Sequence, residues 1–158
     1  MPAVRVETLV PVADADFVFS RISDFPRYAD HTHAVREIRV EQGADGAVVS
    51  DWSVNFRNGV MRWQESDRID PIARTVEFDQ LKGDFVGFSG SWRVDQVGAD
   101  VTLRFDAEFD LGMPSLAPII DPIAAHALRD NIEAIIRGLL GEHVVFLADD
   151  ESEPAKVG

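Results

Sequence analysis

Apolar and polar residues alternate from Val4 to Val10, the pattern of a half-buried strand. Pro11 ends the alternation, and Asp14 stands where an N-cap would open a short helix over residues 15–23, with Phe17, Val18 and Ile22 at helical spacing. Pro26 disfavours helical geometry at Phe25, so Asp24-Phe25-Pro26-Arg27-Tyr28 breaks that helix. Alternation returns over 35–42 and 47–56, on either side of a turn at Gly43 to Gly46. Asn58-Gly59 supplies the positive φ values of a tight hairpin and leads into a strand over 60–69, which Asp70-Pro71 closes. Further strands are predicted over 74–81, 85–94 and 101–110, with turns at Gly83 and Gly98. Six or seven strands in series with short turns indicate an antiparallel meander.

The period changes after residue 110. Gly112, Pro114 and Pro118 mark an irregular crossing, and Asp121-Pro122 reads as an N-cap followed by proline in the first helical turn. A helix of 20 or so residues follows, with Leu128, Ile132, Ile135, Ile136, Leu139 and Leu140 on one face and His126, Asp130, Glu133 and Arg137 on the other. One long helix cannot bury its apolar face alone, so it must lie against the sheet. The expected fold is α+β: a curved antiparallel sheet around a long C-terminal helix, with an apolar cavity between them. Residues 1–148 read as one domain and 149–158 as a polar, frayed tail.

Composition narrows the partners. The net charge of −13 opposes both a phosphate backbone and an anionic membrane surface, so neither nucleic acid nor membrane is expected. The absence of cysteine removes disulfides, thiolate metal sites and cysteine nucleophiles. Apolar runs are far shorter than the roughly 20 residues a membrane helix needs, and Met1 to Arg5 lacks a secretion pattern, so a cytoplasmic location is expected. There is no phosphate loop, nucleophile elbow or dinucleotide fingerprint, and no cofactor is expected.

Strand phase then sorts the side chains. Val48, Trp52, Val54 and Phe56 share the inward phase of one strand, and Val86, Phe88, Trp92 and Val94 that of another, where Gly90 leaves room. In 60–69, Arg62, Gln64, Ser66 and Arg68 form the solvent face, which puts Glu65 and Asp67 inward with Met61, Trp63 and Ile69. A carboxylate in an apolar interior must be solvated, paired or protonated, and burial raises its pKa towards the range of useful proton transfer. Solvent at the strand end, a neutralising arginine or a bulge are the structural alternatives. Asn131 interrupts the apolar stripe of the last helix, either to orient a ligand carbonyl or to bond a neighbouring backbone group. His31 and His33 face the same way on an extended segment, but no third ligand at a recognisable spacing supports a metal site; they are expected either as solvated loop histidines or at the rim of the pocket mouth.

The order of these features resembles the START-type, helix-grip (SRPBCC) superfamily, and within it the polyketide aromatase/cyclases and coenzyme-Q-binding-like proteins. The resemblance runs from about residue 4 to 145. It rests on Asp24 to Tyr28, the Trp63 strand ending in Asp70-Pro71, Phe85 to Trp92, Phe109-Asp110-Leu111 and Arg129-Asp130-Asn131-Ile132. It implies a deep pocket between sheet and helix for a hydrophobic or polyketide-like ligand, no cofactor, and an acyl carrier protein as candidate partner. Aromatase/cyclases line the pocket with tryptophan, serine and arginine at alternate positions of one strand. Trp63 matches the first, Glu65 and Asp67 occupy the other two, and Ser66 and Arg68 fit only with a one-residue shift. Asn131 matches a pocket asparagine. The implied function is cofactor-independent cyclisation and dehydration of a poly-β-ketone, with Glu65 and Asp67 catalytic and Trp52, Trp63, Phe88, Trp92, Asn131, Tyr28, His31 and His33 at the ligand. The rival is a non-catalytic carrier of a lipid- or quinone-like molecule.

Overall fold

A computed structural model describes residues 2–56 and 59–147. In chain order the elements are β1 (Ala3–Val10), α1 (Ala15–Ile22), α2 (Tyr28–His31), β2 (Val35–Gln42), β3 (Val48–Phe56), β4 (Gly59–Asp70), β5 (Thr75–Gly83), β6 (Gly87–Val97), β7 (Asp100–Asp110), α3 (Ala117–Leu140) and β8 (Val145–Phe146). The strands form one antiparallel sheet in the order β2-β3-β4-β5-β6-β7-β1-β8, so the meander is closed by β1 pairing with β7. With α3 gripped by this curved sheet, the fold is the α+β helix-grip that the sequence implied.

Local chemistry explains most boundaries. The Asp14 carboxylate accepts from the Phe17 N–H at 3.0 Å and caps α1. Phe56 lies opposite Gly59 across β3 and β4, while the hairpin residues Arg57 and Asn58 fall outside the described residues, as does the predicted tail over 149–158. Leu128, Ile132, Ile135, Ile136 and Leu139 of α3 are buried against the sheet. On the outer side His126 meets Asp130 at 3.3 Å and Arg137 meets Glu133 at 3.8 Å. The Arg21 guanidinium donates twice to the Leu139 carbonyl, at 3.1 and 3.0 Å, closing the helix C-terminus onto α1.

Two expectations are corrected. The last helix begins at Ala117, so Asp121 is not its cap and Pro122 lies inside it. Pro118 supplies the first-turn signal four residues earlier, and Pro122 forfeits only the bond to the carbonyl one turn back, near an exposed helix start. The second concerns Val86, which is 68% exposed, while Phe85 is 5% exposed. The strand starts only at Gly87, and Phe85 is turned into the core by the loop, its carbonyl held by Gln80 Nε2 at 2.9 Å and its ring stacked on Phe88 at 4.7 Å. From Phe88 onward the predicted phase holds, with Trp92 and Val94 buried.

Gly90 leaves room for a specific reason. A Cβ there would sit 2.0 Å from the Asp106 carbonyl oxygen and 2.6 Å from the Phe78 ring. Neither the neighbouring backbone nor a buried ring can yield cheaply, so Gly90→Ala is expected to destabilise the fold by about 1–3 kcal/mol, read from urea denaturation midpoints.

Candidate functional site

The site is assembled by cross-strand register. Trp52 of β3 faces Trp63 of β4, and Ser50 faces Glu65. The β4–β5 pairing shifts register between Gln64 and Glu65, where Lys82 and Gln80 are the successive partners and Leu81 is the extra residue. The bulge therefore belongs to β5. Alternation along β4 runs unbroken, and Glu65 and Asp67 are both buried, at 4% and 0% exposure, whereas Ser66 and Arg68 line a groove on the outer face. The alternative in which a bulge reverses the phase of the two acids does not hold.

A small hydrogen-bonded unit follows. The two indoles stack at 5.8 Å with planes 3° apart. Trp63 Nε1 donates to Glu65 Oε1 at 2.7 Å, and Trp52 Nε1 donates to Ser50 Oγ at 2.8 Å. The Ser50 hydroxyl donates in turn to Asp67 Oδ2. Further rings continue the wall: Tyr28 packs on Trp52 at 5.5 Å, Phe88 on Trp63 at 5.2 Å, and Trp92 on Phe105 at 4.7 Å. Each such pair adds about 0.5–1.5 kcal/mol beyond its buried area, so the wall is also a stabilising core.

These side chains enclose a cavity of about 50 Å³ under α3. Tyr28, Trp52, Trp63, Phe88, Trp92 and Asn131 are on its wall, together with Glu65. Asp67 is fully buried but is not part of the wall. Asn131 donates from Nδ2 to the Asn55 carbonyl at 2.7 Å, so its amide N–H is held by backbone while the residue borders the cavity. His31 and His33 are not brought to the wall; the His33 carbonyl accepts from Asn55 Nδ2 at 2.6 Å. The deep pocket implied by sequence is closed down by the aromatic rings themselves. Its volume admits a few waters, against roughly 300–1,000 Å³ for a typical small-molecule site.

Burial sets the protonation of the pair. The Glu65 pKa is pushed well above the ordinary carboxylate value, first by desolvation and then by the hydrogen bond and negative charge of Asp67, with the Trp63 N–H opposing. The Asp67 pKa is also raised by burial, against the lowering effect of its hydrogen bonds with Glu65 and Ser50. Burial and the same two carboxyls also hold the Tyr28 phenol neutral, its hydroxyl donating to the Ile22 carbonyl.

With this geometry in place, the family is decided by a match of residues 12–136 to the model of polyketide cyclase / dehydrase and lipid transport proteins. The chain belongs to that family. No curated protein matches it by sequence. Among solved structures, a protein of Thermus thermophilus superposes with a TM-score of 0.79 at 21% identity, covering 87% of this chain and 94% of that one. The Zhui aromatase/cyclase from a Streptomyces species gives 0.69 at 23% identity, over 89% and 93% of the two chains. A START superfamily protein from Mycobacterium smegmatis gives 0.75 at 16% identity, over 89% and 97%. At these identities the likeness to solved structures shows the fold alone.

Sequence reasoning missed two polar members of this site. Ser50 shares the inward phase with Trp52 and Val54, and Gln80 that of Val76 and Phe78. The signal was the same one that exposed Glu65, a polar residue interrupting an apolar stripe. Among the described residues no group of three or more His, Asp or Glu side chains could hold a metal ion, and no helix is long and apolar enough to cross a membrane.

Proposed function

We propose that this polyketide cyclase/dehydrase family member is a cofactor-independent cyclase and dehydratase of a poly-β-ketone intermediate. Glu65 is the catalytic residue and Asp67 its positioning partner. The observation that carries this reading is a buried carboxyl pair, one member of which borders an aromatic cavity. After aldol closure, the Glu65 carboxyl protonates the departing hydroxyl, and the carboxylate so formed takes the proton from the adjacent carbon. One water leaves, a C=C bond forms, and the pair ends as it began. Asp67, held by Ser50, raises the Glu65 pKa through its negative charge and so favours the protonated acid. The aromatic wall folds the chain so that one carbon meets one carbonyl, an orientation effect. An acyl carrier protein would deliver the substrate.

The test supplies a poly-β-ketone thioester with and without the protein and compares products by mass spectrometry. One dominant cyclised, dehydrated product is expected, and an unchanged mixture overturns the reading. Asp67→Asn is expected to shift the acid or basic limb of the pH–rate profile rather than abolish product, as a group acting through Glu65 should.

A non-catalytic carrier of a lipid- or quinone-like molecule is favoured by one observation. The cavity of about 50 Å³ has both indole N–H groups already engaged, with neither left to hold an oxyanion. That reading predicts a co-purifying hydrophobic molecule in native mass spectrometry and no conversion of the thioester.

A further inference from the structure

Hydrogen-bond donors and acceptors around the carboxyl pair, behind the cavity wall, do not balance. The indole N–H groups of Trp63 and Trp52 are given to Glu65 and Ser50, the Ser50 hydroxyl to Asp67, and the Tyr28 hydroxyl to the Ile22 carbonyl. Acceptors remain. Asp67 Oδ1 and Gln80 Oε1 are both buried without a hydrogen-bond partner, and Gln80 lies directly across from Glu65 in the β4–β5 register. Among the described residues, no lysine, arginine or histidine is on the cavity wall. Burying a carboxylate without a cation is strongly unfavourable. The surrounding walls are the faces and edges of Trp52, Trp63, Tyr28 and Phe88, and ring faces attract cations electrostatically.

We infer that the cavity receives the protonated amine head of a hydrophobic amine, its N–H groups donating to Glu65 in the aromatic cup of Trp52, Trp63, Tyr28 and Phe88. The ammonium supplies the missing cation beside the Glu65 carboxyl, the member of the pair that borders the cavity. The cavity of about 50 Å³ has room for a small head group and not for a whole hydrophobic ligand. A carboxylate or phosphate head is refused by the same arrangement, because it would add negative charge beside the Glu65 carboxyl. This goes beyond the cyclase reading and requires no turnover.

The test titrates the protein at neutral pH with three probes of similar size: 2-phenylethylamine, 2-phenylethanol and 3-phenylpropionate. Affinity is read by calorimetry, and the site by the indole N–H resonances of ¹⁵N-labelled protein. The amine is expected to bind about tenfold or more tightly than the alcohol. It should move the Trp52 and Trp63 indole signals, while the carboxylate gives no saturable binding. In Glu65→Gln, and separately in Asp67→Asn, the preference for amine over alcohol is expected to fall to about parity. The wild-type probe series decides the matter even where one variant folds poorly. Equal or tighter binding of the alcohol, no binding of the amine, or a preference that survives both variants overturns the inference. A protein that cyclises the thioester yet ignores the amine refutes only this inference. One that binds the amine but leaves the thioester unchanged refutes only the cyclase reading.

Discussion

Glu65→Gln is expected to lower the rate of formation of the cyclised product by about 10²–10⁴-fold, with affinity for the poly-β-ketone substrate within a few-fold of wild type. Glutamine keeps the size of the side chain and can still accept the Trp63 N–H, which meets Glu65 Oε1 at 2.7 Å. What it loses is the transferable proton. The cavity wall stays aromatic and the strand register is untouched, so binding should persist while the chemical step fails. Single-turnover kinetics separate the two, because a change in wall packing would alter binding and a change in proton transfer would not. Retention of the wild-type single-turnover rate by Glu65→Gln would exclude Glu65 as the acid.

The second large effect is on stability, and its sign follows from the direction of both pKa shifts. In the unfolded chain Glu65 and Asp67 ionise near their ordinary values of 4.5 and 3.8. In the folded protein both pKa values are raised, so over the interval above those values the native state holds protons that the unfolded state has released. Stability then falls as pH rises. The contribution of the pair is least unfavourable below about pH 4 and becomes more unfavourable until the raised native values are passed. Glu65→Gln removes one of the two titrations. Relative to wild type it should gain stability between pH 4 and pH 8, by an amount on the order of 1–4 kcal/mol at the upper end. Urea denaturation of both proteins at the two pH values measures the difference, which cancels the general repulsion of a chain with net charge −13. Parallel pH dependences would show that the pair carries no desolvation penalty.

The strands and the inward acids were legible because the side-chain period of a strand is two and one face is buried. Trp63, Glu65 and Asp67 fall on that face by counting alone, and no bulge interrupts β4. The Val86 error has the same root: the period applies only within the strand, and the strand starts one residue later, at Gly87. Helix α3 was legible from Leu128 onward, where its apolar face is buried, and illegible at its start, where two prolines give the same local signal. The closed cavity was beyond the sequence altogether. Its volume depends on how the Trp52, Trp63 and Phe88 rings pack against one another, which is set by contacts between strands rather than by order along one. The links from Trp52 through Ser50 to Asp67 likewise need the β3–β4 register.

The pairing of β1 with β7 has a consequence for how the chain comes to be folded. Val4 lies opposite Ala107, and Val10 opposite Val101. Neighbouring strands from β2 to β7 join through short turns, and each can zip onto the last as it emerges from the ribosome. The first strand has no such neighbour. Its valines wait, uncovered, until about a hundred residues have been made and a loop of that length is closed. Strand β1 is therefore made well before its partner, and its β-prone edge stays unpaired with β7 while β2 to β6 are being synthesised.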